Sequence, residues 1–116
     1  MISRKSFAGK EGKDVRSDCF IELELNSGGI FDISVTSKVK ALYGNSIINQ
    51  IEELCIFFEL PPCSVRVTDS GALPFVISAR FETAVKRLFP EIEKEYLPKI
   101  LFTERIKTEK NHIRRS

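Results

Sequence analysis

Between Cys19 and Leu25 the side chains change sides at every step. Cys19, Ile21, Leu23 and Leu25 fall on one side, and Phe20, Glu22 and Glu24 on the other. A helix would scatter residues two apart around its surface, so only an extended strand with one buried face collects them. Asn26-Ser27-Gly28-Gly29 then supplies residues that tolerate positive φ, the signal of a chain reversal. Phe31, Ile33 and Val35 alternate with Asp32, Ser34 and Thr36. Two strands on either side of a turn predict an N-terminal antiparallel hairpin.

The period then changes from two to that of a helix. Ile47, Ile51, Leu54, Cys55 and Phe58 share one side, with Asn45 or Ser46 as N-cap and Pro61-Pro62 as the stop. Residues 37–43 read as a shorter preceding turn of helix. Val65 and Val67, alternating with Arg66 and Thr68, predict a third strand, and Asp69-Ser70-Gly71 a turn. Leu73, Val76, Ile77, Phe81, Ala84, Val85 and Leu88 form a helical stripe, and Pro74 is tolerated in its first turn. A strand over residues 75–79 competes with the start of that helix, because Phe75, Val76 and Ile77 are also good strand formers. After Pro90, Ile92, Tyr96 or Leu97, and Ile100 or Leu101 suggest a last amphipathic helix. The expected fold is α+β: a small antiparallel sheet, made of the hairpin plus a third strand, packed against two to three helices. Residues 1–16 read as a flexible lead, 17–89 as the domain, and 90–116 as a C-terminal helix with a basic tail.

Composition narrows the function. The chain has 116 residues, 42% of them hydrophobic, enough for one modest core. Eighteen Lys and Arg against 16 Asp and Glu leave a net charge of +2, too balanced to argue for nucleic acid or membrane by bulk charge. The strands do not interleave basic and aromatic residues on one side, as a nucleic-acid surface would. No apolar run approaches the length a bilayer needs, and no apolar stretch follows Arg4-Lys5 to make a secretory signal, so the cytoplasm is the expected compartment. Cys19, Cys55 and Cys63 make no C-x-x-C pair and read as reduced thiols used as small apolar side chains. The one histidine, His112, stands in the polar tail, which argues against a triad or a histidine metal site. No phosphate-cradling glycine motif is present. The carboxylates decorate strand and helix surfaces. The chain therefore reads as a carrier, an adaptor or a subunit, with no catalytic residues and no metal ligands of its own.

Several pieces, taken in order, resemble one family. They are Ala8-Gly9, Ser17-Asp18-Cys19-Phe20-Ile21, Asp32-Ile33-Ser34-Val35 with Ser37-Lys38-Val39-Lys40, and Tyr43-Gly44 before Ile47. The most specific is Val65-Arg66-Val67-Thr68-Asp69-Ser70-Gly71-Ala72-Leu73 followed by Ala79-Arg80. Over residues 7–88 the chain resembles the acyl carrier (gamma) subunit of citrate lyase. The resemblance implies a covalently bound phosphoribosyl-dephospho-coenzyme A, joined by a phosphodiester to a serine. Its terminal thiol would hold acetyl and then citryl while citrate is split to oxaloacetate and acetate. The implied partners are the alpha (transferase) and beta (lyase) subunits and a prosthetic-group transferase. The carrier subunit of malonate decarboxylase is the near alternative, and a small protein-binding adaptor the alternative from another class.

In the family the attachment serine precedes the first strand, in a stretch like E-S-S-D or E-S-G-D. Val15-Arg16-Ser17-Asp18 stands here. With Asp18 aligned, Arg16 falls on the usual serine position and Ser17 is the nearest hydroxyl, so the resemblance implies attachment at Ser17. Its setting agrees, since a polar lead followed by a stiff strand suits a hook for a swinging arm. Asp69-Ser70 superficially resembles the serine site of helical carriers but reads as a turn, with Asp69 available to cap the next helix. Arg80 reads either as a snorkelling surface side chain or as an ionic contact to a partner or to the arm's phosphates.

Overall fold

The computed structural model describes residues 4–26, 28–37 and 43–96. Six elements follow in the order β1 (Lys5–Gly9), β2 (Asp18–Leu25), β3 (Asp32–Ser37), α1 (Tyr43–Phe57), β4 (Cys63–Ser70) and α2 (Pro74–Leu88). The strands form one sheet ordered β1-β2-β4-β3. Two helices cover one side of it: α2 lies on β1 and β2, α1 on β3, and the helices touch each other. The class is the expected α+β.

The strand neighbours differ from the expected hairpin. β2 and β3 do run in opposite directions, but β4 lies between them, antiparallel to β2 and parallel to β3. The sheet is therefore mixed. Six residues separate Leu25 from Asp32, enough to step across one intervening strand about 4.8 Å wide. Asn26 fastens the step: its N–H donates to the Pro62 carbonyl at 3.1 Å, and its Nδ2 donates to the Ile30 carbonyl at 3.0 Å. Burial explains the choice of neighbours. Cys19, Ile21 and Leu23 of β2 and Val65 and Val67 of β4 are almost wholly buried and take the centre. Ile33 and Val35 are half-buried and lie at the edge.

The hairpin that does form joins β1 to β2, in the register Ala8↔Ile21 and Ser6↔Leu23. Lys5–Gly9 is thus a paired strand and not part of a flexible lead. Ser6 disguised it: a polar residue occupies an inward position because its Oγ donates to the Ala84 carbonyl of α2 at 2.7 Å. Gly9 closes the strand at φ 97, and a Cβ there would stand 1.9 Å from the Cys19 carbonyl oxygen. No side chain fits.

One core fills the space between the layers. Ile21, Leu23, Val65 and Val67 face Ile47, Ile51 and Leu54 of α1 and Ile77, Phe81 and Val85 of α2. α1 begins at Tyr43, so Asn45 and Ser46 lie inside its first turn and not at the cap. It ends before the two prolines, with Glu59 left-handed at φ 54 and the Leu60 N–H donating back to the Cys55 carbonyl at 3.1 Å. The helical reading of residues 75–79 prevails over the strand, with Pro74 opening α2. After Phe89, residues 91–96 are not helical; Ile92 and Tyr96 pack on the core, and the Tyr96 ring meets Phe57 edge-on at 5.1 Å. Of the helix turn expected over residues 37–43, Ser37 instead ends β3 and Tyr43 begins α1, while residues 38–42, like the rest of the expected final helix from Leu97 onward, lie outside the described residues.

Candidate functional site

Ser17 stands at the end of the connection between β1 and β2, immediately before the central strand. It is exposed, and its hydroxyl has no hydrogen-bond partner among the described residues. Its backbone is left-handed, φ 57, a conformation costing a non-glycine residue about 1–2 kcal/mol. Two bonded groups flank it. Behind the side chain, the Ser17 N–H donates to the Ser70 carbonyl at 2.7 Å. In the next residue, Asp18 is locked by three bonds. Oδ1 accepts from its neighbour's Cys19 N–H at 2.7 Å and from Arg80 Nε at 2.9 Å, while Oδ2 accepts from Arg80 Nη2 at 2.7 Å.

The Asp18–Arg80 pair joins the first residue of β2 to the second turn of α2. The fork geometry puts two parallel N–H donors on one carboxylate, the strongest common form of such a pair. Arg80 holds the Asp18 carboxyl below its ordinary range; desolvation opposes this, and the Cys19 N–H and the charge of Lys10 add to it. The Asp18 side chain is 13% exposed and that of Arg80 39%. Neither sequence reading of Arg80 was this one. It is not a free surface charge, and its partner is in its own chain. A charged residue inside an apolar helical stripe was the available hint.

Ser70 lies across the backbone bond from Ser17 and behaves oppositely. It is 6% exposed, with its hydroxyl turned into the structure, so no modifying enzyme reaches it without unfolding the strand end. The turn reading is corrected: Asp69 and Ser70 are the last two residues of β4, paired with Cys19 and Asp18 of β2, and the chain leaves the sheet only at Gly71. Asp69, also buried, does not cap α2. Its Oδ1 accepts from the Ala72 N–H at 2.9 Å, and its Oδ2 from Ser37 Oγ at 3.0 Å, which pins the chain just after β4 and ties the end of β4 to the end of β3. Gly71, at φ 86, bridges back to Asp18.

Nothing else described resembles a chemical centre. All three cysteines are buried, unpaired thiols; burial pushes Cys19 and Cys55 up to about 12 and Cys63 to about 11. Such thiols are not nucleophiles. No three His, Cys, Asp or Glu side chains converge among the described residues. No described helix is long and apolar enough to cross a membrane. A groove of 460 Å³ lies between β3 and α1, lined by Phe31, Ile33, Ile48, Cys55, Ile56 and Leu60 with Glu52 and Glu59. It sits where β4 begins, at the far end of the sheet from Ser17, and offers no reactive group.

Known proteins add to this geometry. Residues 8–88 match the acyl carrier family model described as the malonate decarboxylase delta subunit (MdcD). The chain is 37% identical over 71 residues to a citrate lyase acyl carrier protein of Clostridium perfringens, covering 61% of this chain and 70% of that one. It is 38% identical over 76 residues to the citrate lyase acyl carrier protein of Oenococcus oeni, covering 66% and 77%. The fold is similar to a chain in the crystal structure of a Pseudomonas malonate decarboxylase hetero-tetramer in complex with malonate. The TM-score is 0.50 at 17% identity, over 76% of this chain and 99% of that one.

Proposed function

We propose, because this chain belongs to the citrate lyase acyl carrier protein family, that it holds its acyl group on a prosthetic arm joined to Ser17. The chain is an acyl carrier and not itself an enzyme. The arm we assign is phosphoribosyl-dephospho-coenzyme A, in phosphodiester linkage to Ser17 Oγ. When bound, that group supplies the thiol on which acetyl and citryl ride as thioesters. The partners are the alpha and beta subunits of citrate lyase and a prosthetic-group transferase. The three reduced thiols agree with a cytoplasmic setting.

One observation carries the choice of residue: Ser17 is exposed with an uncommitted hydroxyl, whereas Ser70, beside it, is buried. The chain's own residues have a simple task. Ser17 Oγ attacks the phosphorus of a phosphoanhydride donor of the arm, the phosphoanhydride P–O bond breaks with its electron pair leaving on the departing inorganic (poly)phosphate, and the hydroxyl proton passes to a base of the transferase. Thereafter the rigid start of β2 anchors one end of the arm, and tethering turns each visit to a partner active site into a local encounter.

Intact mass and peptide mapping of protein purified from its native cell test this reading. The expected result is a coenzyme-A-derived adduct on the tryptic peptide that begins after Arg16, with fragmentation placing it on Ser17. Ser17→Ala folds normally and accepts no adduct. An adduct on another serine overturns the site, and an unmodified native chain overturns the carrier arm. A malonate decarboxylase setting is the second reading, favoured by the description of the family model. Supplying citrate, the alpha and beta subunits and the acetylated carrier separates the two: release of oxaloacetate supports citrate lyase, and its absence supports the alternative.

A further inference from the structure

We propose that Arg80 is a positioning residue for arm attachment, acting through Asp18 to hold Ser17 in its left-handed conformation. The inference rests on Ser17 being the attachment residue. Arg80 bonds to Asp18, not to Ser17, so it does not act on the reacting atoms.

The backbone at Ser17 stores strain that something must oppose. An isolated serine would relax from φ 57 to an ordinary negative φ. Its N–H bond to the Ser70 carbonyl restrains one side only. The other restraint is the immobility of Asp18, whose backbone pairs with Ser70 and Gly71 and whose carboxylate takes both donors of the Arg80 fork and the Cys19 N–H. Arg80 is itself fixed by its helix, since Ile77, Phe81 and Ala84 around it are buried in the core. The path runs from the core through α2, the guanidinium fork and the Asp18 carboxylate to the Ser17 backbone.

Without the fork, the Asp18 carboxylate keeps only the bond from the Cys19 N–H, and the strand-end pairing with Ser70 and Gly71 alone opposes relaxation of Ser17. The hydroxyl then moves by an amount on the order of 1 Å. A displacement of that size costs an oriented reaction about 100-fold. Lysine restores the charge but not the two-pronged geometry, so it does not restore the placement.

The test compares the full-length wild type with Arg80→Gln and Arg80→Lys. A prosthetic-group transferase and the activated arm are supplied, attachment rates are read by intact mass, and amide hydrogen exchange is measured without the transferase. The expected result is a 10- to 100-fold fall in attachment kcat for both variants, with KM little changed. Exchange at the Ser17 amide accelerates in both, while the amides of Ile21 and Val67 stay protected. Attachment to Arg80→Gln at the wild-type rate, or unchanged Ser17 exchange in that variant, overturns the positioning role. Full rescue by lysine overturns the geometric part of the argument. If Arg80→Gln fails to fold, Arg80→Lys, which keeps the alkyl stem and charge, decides the matter by the same two readouts. Failure of the wild type to take the arm on Ser17 is a different outcome and sinks the attachment reading itself.

Discussion

Replacing Gly9 by alanine adds one methyl group at the most crowded glycine of the sheet. The new Cβ would lie 1.9 Å from the Cys19 carbonyl oxygen, 3.0 Å from its carbon and 3.2 Å from the Phe20 Cα. All three are backbone atoms of the central strand and cannot rotate away. Normal carbon–oxygen contact needs about 3.3 Å, so β1 and β2 must separate by more than about 1 Å locally. That separation breaks the bond from the Lys10 N–H to the Cys19 carbonyl, 3.0 Å long, at a cost of about 1 kcal/mol. The positive φ of 97 adds about 1–2 kcal/mol for any residue with a Cβ. Residual crowding in a tightly packed interior contributes a further 1 kcal/mol or so. The expected loss is about 3–4 kcal/mol, a large part of the 5–15 kcal/mol that holds a typical domain together. Gly29→Ala is the control: its φ is 84, but nothing lies within 4 Å of the added atom. It should lose only the conformational part, about 1–2 kcal/mol. Urea unfolding at pH 7 measures both. At a slope of about 1.5 kcal/mol per molar, the Gly9 midpoint falls by about 2 M and the Gly29 midpoint by about 1 M. Equal shifts with an unchanged slope would refute the steric reasoning and show that φ alone sets the cost.

Two further outcomes follow from titratable groups. Because the Arg80 fork lowers the Asp18 pKa on folding, its contribution is fully present above the unfolded carboxylate value of about 3.9 and disappears as the pH falls through the lower folded value. Asp18→Asn should therefore cost about 1–3 kcal/mol at pH 7, and the gap to wild type should close on acidification; a gap independent of pH would refute the assignment. Cys19, Cys55 and Cys63 should resist an aromatic disulfide reagent at pH 8 in the folded chain and react together on unfolding, since burial holds their pKa values at about 11 to 12; rapid reaction of any one without denaturant would contradict its burial.

Legibility varied with the range of the interaction concerned. The alternation of Cys19, Ile21 and Leu23 and the helical stripe of Ile77, Phe81 and Ala84 are local and could be read directly, because each residue's face follows from its neighbours' spacing. The strand at Lys5–Gly9 was missed because Ser6 satisfies its hydroxyl on the Ala84 carbonyl, 78 residues away. A polar inward residue looks like a surface one until its partner is known. The location of Ser17 before the strand was legible, but Ser70, read as a turn residue, ends β4, because its partner Asp18 lies far away along the chain.

The amino-acid sequence alone determined the class of the fold, the main helices and three of the strands, because periodicity and composition act over a few residues at a time. Only the tertiary structure decided that β4 enters between β2 and β3, and that Arg80 grips Asp18 beside Ser17. Strand order depends on which apolar faces compete best for the centre of the core, and the ion pair on two residues 62 positions apart meeting across the sheet and helix layers. Neither quantity exists until the chain has packed.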